Sequence, residues 1–170
     1  MPHPAAPATA VPDSDHRAYR RALGSFASGI TVITCALADG RRAGLTVNSF
    51  ASVSLEPPLV SWCLARAALS FPLFDAAPHF AVNVLAVEQA PLVQHFAQRV
   101  PDKFDGVAIR PGLGGAPLLE GCAARFECRT AGRFEGGDHV VFIGEVERYA
   151  VFEREPLVLV RGRYGRLGDG

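Results

Sequence analysis

Residues 44–60 read G-L-T-V-N-S-F-A-S-V-S-L-E-P-P-L-V. As one extended strand, this stretch puts Val47, Ala51, Val53 and Leu55 on one side and Thr46, Asn48, Ser52 and Ser54 on the other. The polar side carries hydroxyls and an amide but no charge before Glu56. Two readings fit. One is an ordinary Ser/Thr-rich strand turned to solvent. The other is a wall that hydrogen-bonds a flat heteroaromatic ligand through hydroxyls, an amide and backbone N–H groups, with apolar neighbours over its faces. Periodicity alone does not separate them.

Isoalloxazine, the flavin ring, is a ligand of that kind, with many carbonyl and ring-nitrogen acceptors. Other chemistries find less support. No pair among His3, His16, His79, His95 and His139 has the i, i+4 spacing of a helical metal site, and no serine sits in a G-x-S-x-G elbow. Cys35, Cys63, Cys122 and Cys128 stand singly in apolar runs without C-x-x-C spacing, so they read as buried thiols rather than zinc ligands. The G-L-G-G-A-P run at 112–117 has Pro111 before it and P-L-L-E-G after it. It lacks the strand and opening helix of a dinucleotide-binding loop and reads as a turn. His139, in G-G-D-H-V-V-F-I-G, starts a strand. It is either a strand-edge histidine bonded to a turn carboxylate or a polar group at a pocket mouth that can meet an amide or phosphate.

The elements that must position these residues are mostly strands. Asp13 or Ser14 can cap a helix whose stripe is Tyr19, Ala22, Leu23 and Phe26, ended by Gly29. Strands are predicted at 30–38, with a turn at Asp39-Gly40, then along 44–55 up to Pro57-Pro58, and at 59–65 and 80–86. A helical turn is expected within 70–77. Residues 88–99 read as a helix with Pro91 in its first turn and Leu92, Val93 and Phe96 facing inward. A Gly/Pro-rich loop over 100–117 leads to strands at 122–130, 139–152 and 157–164, the first two joined by a short connection at 131–137. Strands joined by turns too short for parallel crossovers predict an antiparallel barrel with peripheral helices.

The chain has 170 residues, enough for one domain with a substantial core. Residues 1–13, with prolines at 2, 4, 7 and 12, read as a disordered N-terminal tail, and 14–168 as the folded domain. Lys plus Arg equals Asp plus Glu, 17 each, with no basic cluster, which argues against nucleic acid and anionic membrane as partners. No apolar run reaches the roughly 20 residues of a membrane helix, and the first residues lack the apolar core of a secretion signal. A soluble, reduced, cytoplasmic protein is expected.

The 44–60 stretch also resembles the signature of the flavin reductase-like family, small NAD(P)H:flavin oxidoreductases that often serve as reductase components of two-component monooxygenases. Other matching stretches follow in order: Y-R-R-A-L-G at 19–24, F-A-S-G-I-T-V-I-T at 26–34, F-A-V-N-V-L at 80–85, D-K-F-D-G-V at 102–107, G-A-P-L-L-E-G at 115–121, G-D-H at 137–139 and R-G-R-Y-G at 161–165. Each is weak alone; their ordered conjunction spans about residues 19–165. The resemblance implies a split β-barrel, mainly β with peripheral helices, usually a homodimer. It further implies hydride transfer from NADH or NADPH to FMN or FAD, the reduced flavin passing to a separate monooxygenase.

By the same resemblance, Thr46, Val47, Asn48, Ser49, Ser52 and Val53 line the isoalloxazine, and Cys63, Leu64 and Ala65 sit near the ring or ribityl chain. Arg66 and Ser70 take the flavin phosphate, Ser70 also capping the turn there. Lys103 is a charge partner and Phe104 a wall, while His139, Arg163 and Tyr164 face the nicotinamide nucleotide. One departure stands out: many relatives carry two or three hydroxyl residues after the arginine, where this chain has A-A-L-S. Fewer contacts imply a weakly held, exchanging flavin. The competing readings are a split-barrel oxidase or oxygenase that keeps its flavin, and a non-catalytic flavin- or haem-binding module.

Overall fold

The computed structural model describes residues 16–100 and 102–168. The tail at 1–13 and the cap at Asp13 or Ser14 lie outside the described residues. In chain order the elements are α1 (His16–Leu23), β1 (Ser28–Gly29), β2 (Thr31–Ala36), β3 (Arg42–Val47), β4 (Ala51–Leu55), β5 (Pro58–Ala65), α2 (Phe71–Ala76), β6 (His79–Val84) and α3 (Ala90–Ala97). After these come β7 (Ile109–Pro111), β8 (Pro117–Leu119), β9 (Ala124–Gly136), β10 (His139–Val151), β11 (Val158–Val160) and β12 (Arg163–Gly165).

Seven strands form one sheet in the order β3-β2-β6-β9-β10-β5-β4, and every pairing in it is antiparallel. The stretch read as one strand over 44–55 is two, β3 and β4, at opposite edges of this sheet. The chain passes between them through residues 48–50. The apolar side expected for that single strand therefore does not exist: Val47 is buried, whereas Leu55 is 94% exposed on the β4 edge. The sheet curls around Trp62, which stacks on Phe142 at 4.6 Å and meets Phe74 edge-on at 5.1 Å. A second apolar cluster joins Val93 and Phe96 of α3 to Ile30, Val32, Leu85 and Leu119. The predicted inward face of α3 is thus met at Val93 and Phe96, with Leu92 packed at the margin.

Four boundaries differ from expectation, the first being that of α1, which ends at Leu23 and leaves Phe26 and Gly29 outside the helix. The loop at 100–117 contains β7, which pairs with β8, and G-L-G-G-A-P forms a tight turn with Gly114 and Gly115 at positive φ. The strand expected to end at Thr130 continues to Gly136, so β9 and β10 form one long hairpin closed by Gly137-Asp138. Residues 157–164 divide at Arg161-Gly162 into β11 and β12, and β11 pairs with both β1 and β12 in a separate three-stranded sheet. Within the hairpin, Gly144 permits a close approach: a Cβ there would lie 2.3 Å from Phe80 Cζ.

Among the described residues, no residue of α1 is buried, and Phe26 beyond it is 83% exposed. Cys35, Cys122 and Cys128 are buried and Cys63 is half-buried, all as free thiols. Desolvation pushes the first three up, to about 12, about 11 and about 12, from an ordinary 9.0. The folded chain therefore holds these protons more tightly than the unfolded chain. Their stabilising share is complete below about pH 9 and declines as pH rises from there toward 12. A thiol-labelling time course on the native protein should show Cys63 as the fast site, the other three reacting only on unfolding. Rapid native labelling at any of those three would contradict this packing.

Candidate functional site

A cleft of about 940 Å³ lies between β3, the residues leading into α2, and the C-terminal end of α3 with the segment that follows. Thr46, Ser70 and Lys103, three residues expected to contact cofactor, line it together with Arg42, Gly44 and Leu69. Its volume falls in the upper part of the range usual for small-molecule sites, and most of its lining is uncharged, so a flavin-sized ligand fits both the room and the chemistry.

The hydroxyls are less available than the sequence suggested. Thr46 Oγ1 donates to the Val93 carbonyl at 2.7 Å, tying β3 to α3. Ser49 Oγ accepts the Cys63 N–H at 2.9 Å, clipping the 48–50 crossing onto β5. Asn48 and Ser52 are exposed, and their side chains make no hydrogen bond among the described residues. They keep the donors and acceptors that a ligand edge needs. Cys63 and Ala65 are half-buried on β5, whereas Val47 and Leu64 belong to the core and can offer a ligand only their backbone. Val53 is exposed on the β4 edge.

Lys103 Nζ donates to the Gly44 carbonyl at 3.1 Å and the Phe96 carbonyl at 2.7 Å. Desolvation holds its ammonium below the ordinary lysine range. An ammonium has three donors, so one remains for the cleft. Phe104 does not form a wall as expected. It is buried against Phe96, with the Arg42 guanidinium 4.8 Å above its ring. Arg42 also pairs with Asp102 at 2.9 Å, and the Phe104 N–H together with Arg42 holds the Asp102 carboxyl below its usual range. Sequence reasoning passed over Arg42, an ordinary edge-strand arginine by type. Gly44 did carry a signal, a glycine inside a strand. A Cβ there would lie 2.8 Å from Phe96, so the glycine lets α3 pack on β3.

A second group gathers where β5 meets the β9–β10 hairpin. His139 lies opposite Ala65, and the Arg66 N–H donates to the Asp138 carbonyl at 3.0 Å. The Arg66 guanidinium pairs with Glu135, so an incoming phosphate must draw it away from that carboxylate. His139 Nδ1 bonds Asp138 Oδ1 at 2.7 Å, and this contact keeps the Asp138 carboxyl low. The imidazole therefore has Nε2 left for another partner. Ser70 precedes α2 but its hydroxyl makes no capping bond, contrary to expectation. Residues 66–70 run directly from this group into the cleft lining. Arg163 and Tyr164 are apart from both groups, exposed on β12 of the small sheet.

Thr46→Val removes one hydroxyl at nearly constant shape. Losing its bond to Val93 should cost about 1 kcal/mol, a drop of roughly 2–4 °C in the thermal midpoint. Flavin affinity should stay within about twofold. Weakened flavin binding with an unchanged midpoint would instead mean that the hydroxyl serves the ligand.

Comparison with known proteins bears on what occupies this cleft. The family described as flavin reductase like domain matches residues 23–168. The chain is 43% identical over 158 residues to FMN reductase (NADH) SmoA of Agrobacterium fabrum, covering 92% of this chain and 90% of that one. It is 40% identical to the flavin-dependent monooxygenase reductase subunit HsaB of Mycobacterium tuberculosis, covering 88% and 81%. Among solved structures, the NADH:FAD oxidoreductase SgcE6 of Streptomyces globisporus superposes with a TM-score of 0.89 at 39% identity, covering 96% of this chain and 100% of the other. SgcE6 has also been solved in complex with NAD and FAD fragments. The curled antiparallel sheet with its two edges joined at 48–50 is the split barrel of these proteins, and the chain belongs to the family of flavin reductase like domains.

Proposed function

We propose that this chain is an NADH-dependent flavin reductase that delivers reduced FMN or FAD to a separate flavin-dependent monooxygenase. The observation that carries the reading is the uncharged polar crossing at 46–49 beside a cleft of about 940 Å³. The names of SmoA and SgcE6 support NADH as donor, and that of HsaB supports an oxygenase partner.

When both nucleotides are bound, hydride passes from nicotinamide C4 to flavin N5, a reaction whose chemistry belongs to the cofactors. The chain's task is placement and charge. Asn48, Ser52 and the backbone of 46–49 bond the polar edge of the ring, and the remaining Lys103 donor balances negative charge growing at its pyrimidine side. Cys63 and Ala65 flank the ribityl chain. Arg66, released from Glu135, and Ser70 hold the phosphate. His139, fixed through Nδ1 by Asp138, presents Nε2 to the nicotinamide amide. With one hydroxyl at the phosphate turn in place of several, the flavin exchanges as a substrate.

A second copy of the chain completes the assembly. The exposed apolar residues Tyr19, Leu23 and Phe26, none of which lines the cleft, support a homodimer in which they are covered. Arg163 and Tyr164 then reach the nicotinamide nucleotide across the interface. Free thiols, and the lack among the described residues of any helix long and apolar enough to cross a membrane, favour the cytoplasm.

The test is oxidation of NADH and of NADPH with FMN or FAD in large excess over protein. Flavin-dependent turnover far beyond one equivalent is expected. Tight flavin binding without turnover of free flavin would favour an oxidase that retains its cofactor; binding without any NAD(P)H consumption would favour a carrier module. His139→Ala should raise the KM for the nicotinamide nucleotide severalfold while leaving flavin affinity nearly intact. Collapse of flavin binding would assign that histidine to the flavin site or to the fold.

A further inference from the structure

Away from the cleft, Arg125 at the start of β9 is only 8% exposed. Its guanidinium lies 4.6 Å over the Phe152 ring, and Nη1 reaches the Leu119 carbonyl at a long 3.4 Å. Its Nε is buried with no partner. Among the described residues no carboxylate comes within ion-pair distance of it. A buried cation left in this state is costly, and native structures compensate such a charge with a counter-ion or a full set of hydrogen bonds.

The surroundings increase the imbalance. Arg125 lines a pocket of about 210 Å³ together with Arg110, Arg154, Glu120, Cys122 and Phe152. Arg110 and Arg154 make no ion pair among the described residues, and Glu120 is the one acid on the lining. Glu127 acts on Arg125 from the same strand, its Oε2 also accepting the Leu113 N–H at 2.8 Å, so two carboxylates stand against three guanidiniums. Cys122 brings no charge, because burial pushes its thiol up to about 11. Burial and the neighbouring Arg110 both push the Arg125 guanidinium down.

We infer that the pocket formed by Arg110, Arg125 and Arg154 is a second binding site, for a phosphate-class oxyanion. Guanidinium forks match the geometry of phosphate oxygens, and an anion here supplies the charge that Arg125 lacks. The site also has a route to the flavin cleft. A depression of about 380 Å³ shares Arg110 with this pocket and shares Gly40 and Arg42 with the cleft. The phosphate therefore comes either from solution or from the far end of a nucleotide lying along that route.

Thermal unfolding in inorganic phosphate, against chloride at equal ionic strength, tests the site. At about tenfold saturation the midpoint should rise by roughly 3–6 °C. The double variant Arg110→Gln/Arg154→Gln, altered at exposed side chains, should lose most of that rise while keeping its reductase kcat. Arg125→Met, which replaces the guanidinium stack on Phe152 by a thioether–ring contact, should lose the rise as well and be no less stable than wild type in chloride. If the phosphate belongs to a nucleotide, inorganic phosphate competes with that nucleotide and the double variant raises its KM severalfold. If the phosphate is free, KM values stay unchanged while the midpoint still responds. Equal midpoints in phosphate and chloride, or a full rise retained in the double variant, would overturn the proposal.

Discussion

The length of the crossing between β3 and β4 governs the rest of the structure. Seven strands laid flat at about 4.8 Å spacing would put the two edge strands roughly 29 Å apart. Val47 and Ala51, the ends of that crossing, are four peptide steps apart and can be separated by at most about 14 Å. The sheet therefore has to curl until its first and last strands approach each other, and the crossing fixes where the open seam falls. Ser49 secures the result by accepting the Cys63 N–H, so the crossing follows β5 and does not swing into solvent. The core can then close around Trp62 and Phe142, and the backbone of 46–49 is held beside the cleft.

A short crossing leaves little backbone pairing at the seam, and side chains supply the difference. Thr31 Oγ1 donates to the Val47 carbonyl at 2.9 Å, and Thr46 to that of Val93. Deeper in, Thr34 donates to the Pro117 carbonyl, and Asn83 reaches the Val32 carbonyl while accepting the Leu119 N–H. These buried polar groups tie the 109–119 excursion to β2 and β6, and each is satisfied, as low-dielectric surroundings require. The polar face thus divides into two sets. Thr46 anchors β3 to α3 and Ser49 anchors the crossing to β5, whereas the Asn48 and Ser52 side chains make no hydrogen bond among the described residues.

Much of this organisation was legible in sequence, but unevenly. Period-3.6 spacing found the inward face of α3, because Val93 and Phe96 pack within the same chain. The identical argument failed for α1, whose stripe has no partner in the single chain. Alternation held a signal of the break between β3 and β4 that the one-strand reading passed over: Ser49 and Phe50 invert the pattern at the crossing, while Thr46, Asn48, Ser52 and Ser54 keep one phase on either side of it. The connection read at 131–137 as short enough for a hairpin is shorter still, because β9 runs on to Gly136 and a hairpin strand tolerates small residues when its partner supplies the ladder. Leu64 and Phe104 came from resemblance, which names positions but not the direction of a side chain. The pairing of Arg66 with Glu135, 69 residues apart in the chain, has no local signal at all.

The charges at the site follow from the same geometry. Lys103 is positioned by two backbone carbonyls, Gly44 and Phe96, and not by a carboxylate. Carbonyl dipoles orient the ammonium without neutralising it, so its positive charge still acts on whatever enters the cleft. A carboxylate in their place would cancel that charge and repel an anionic ligand. Glu135, by contrast, holds Arg66 at an exposed position where solvent screens the pair and little free energy is lost when it opens. On the proposed function, the chain fixes the cation assigned to the ring and holds the one assigned to the phosphate by an exposed pair that opens at little cost. That difference suits the proposed flavin substrate, which must be held while it is reduced and then let go.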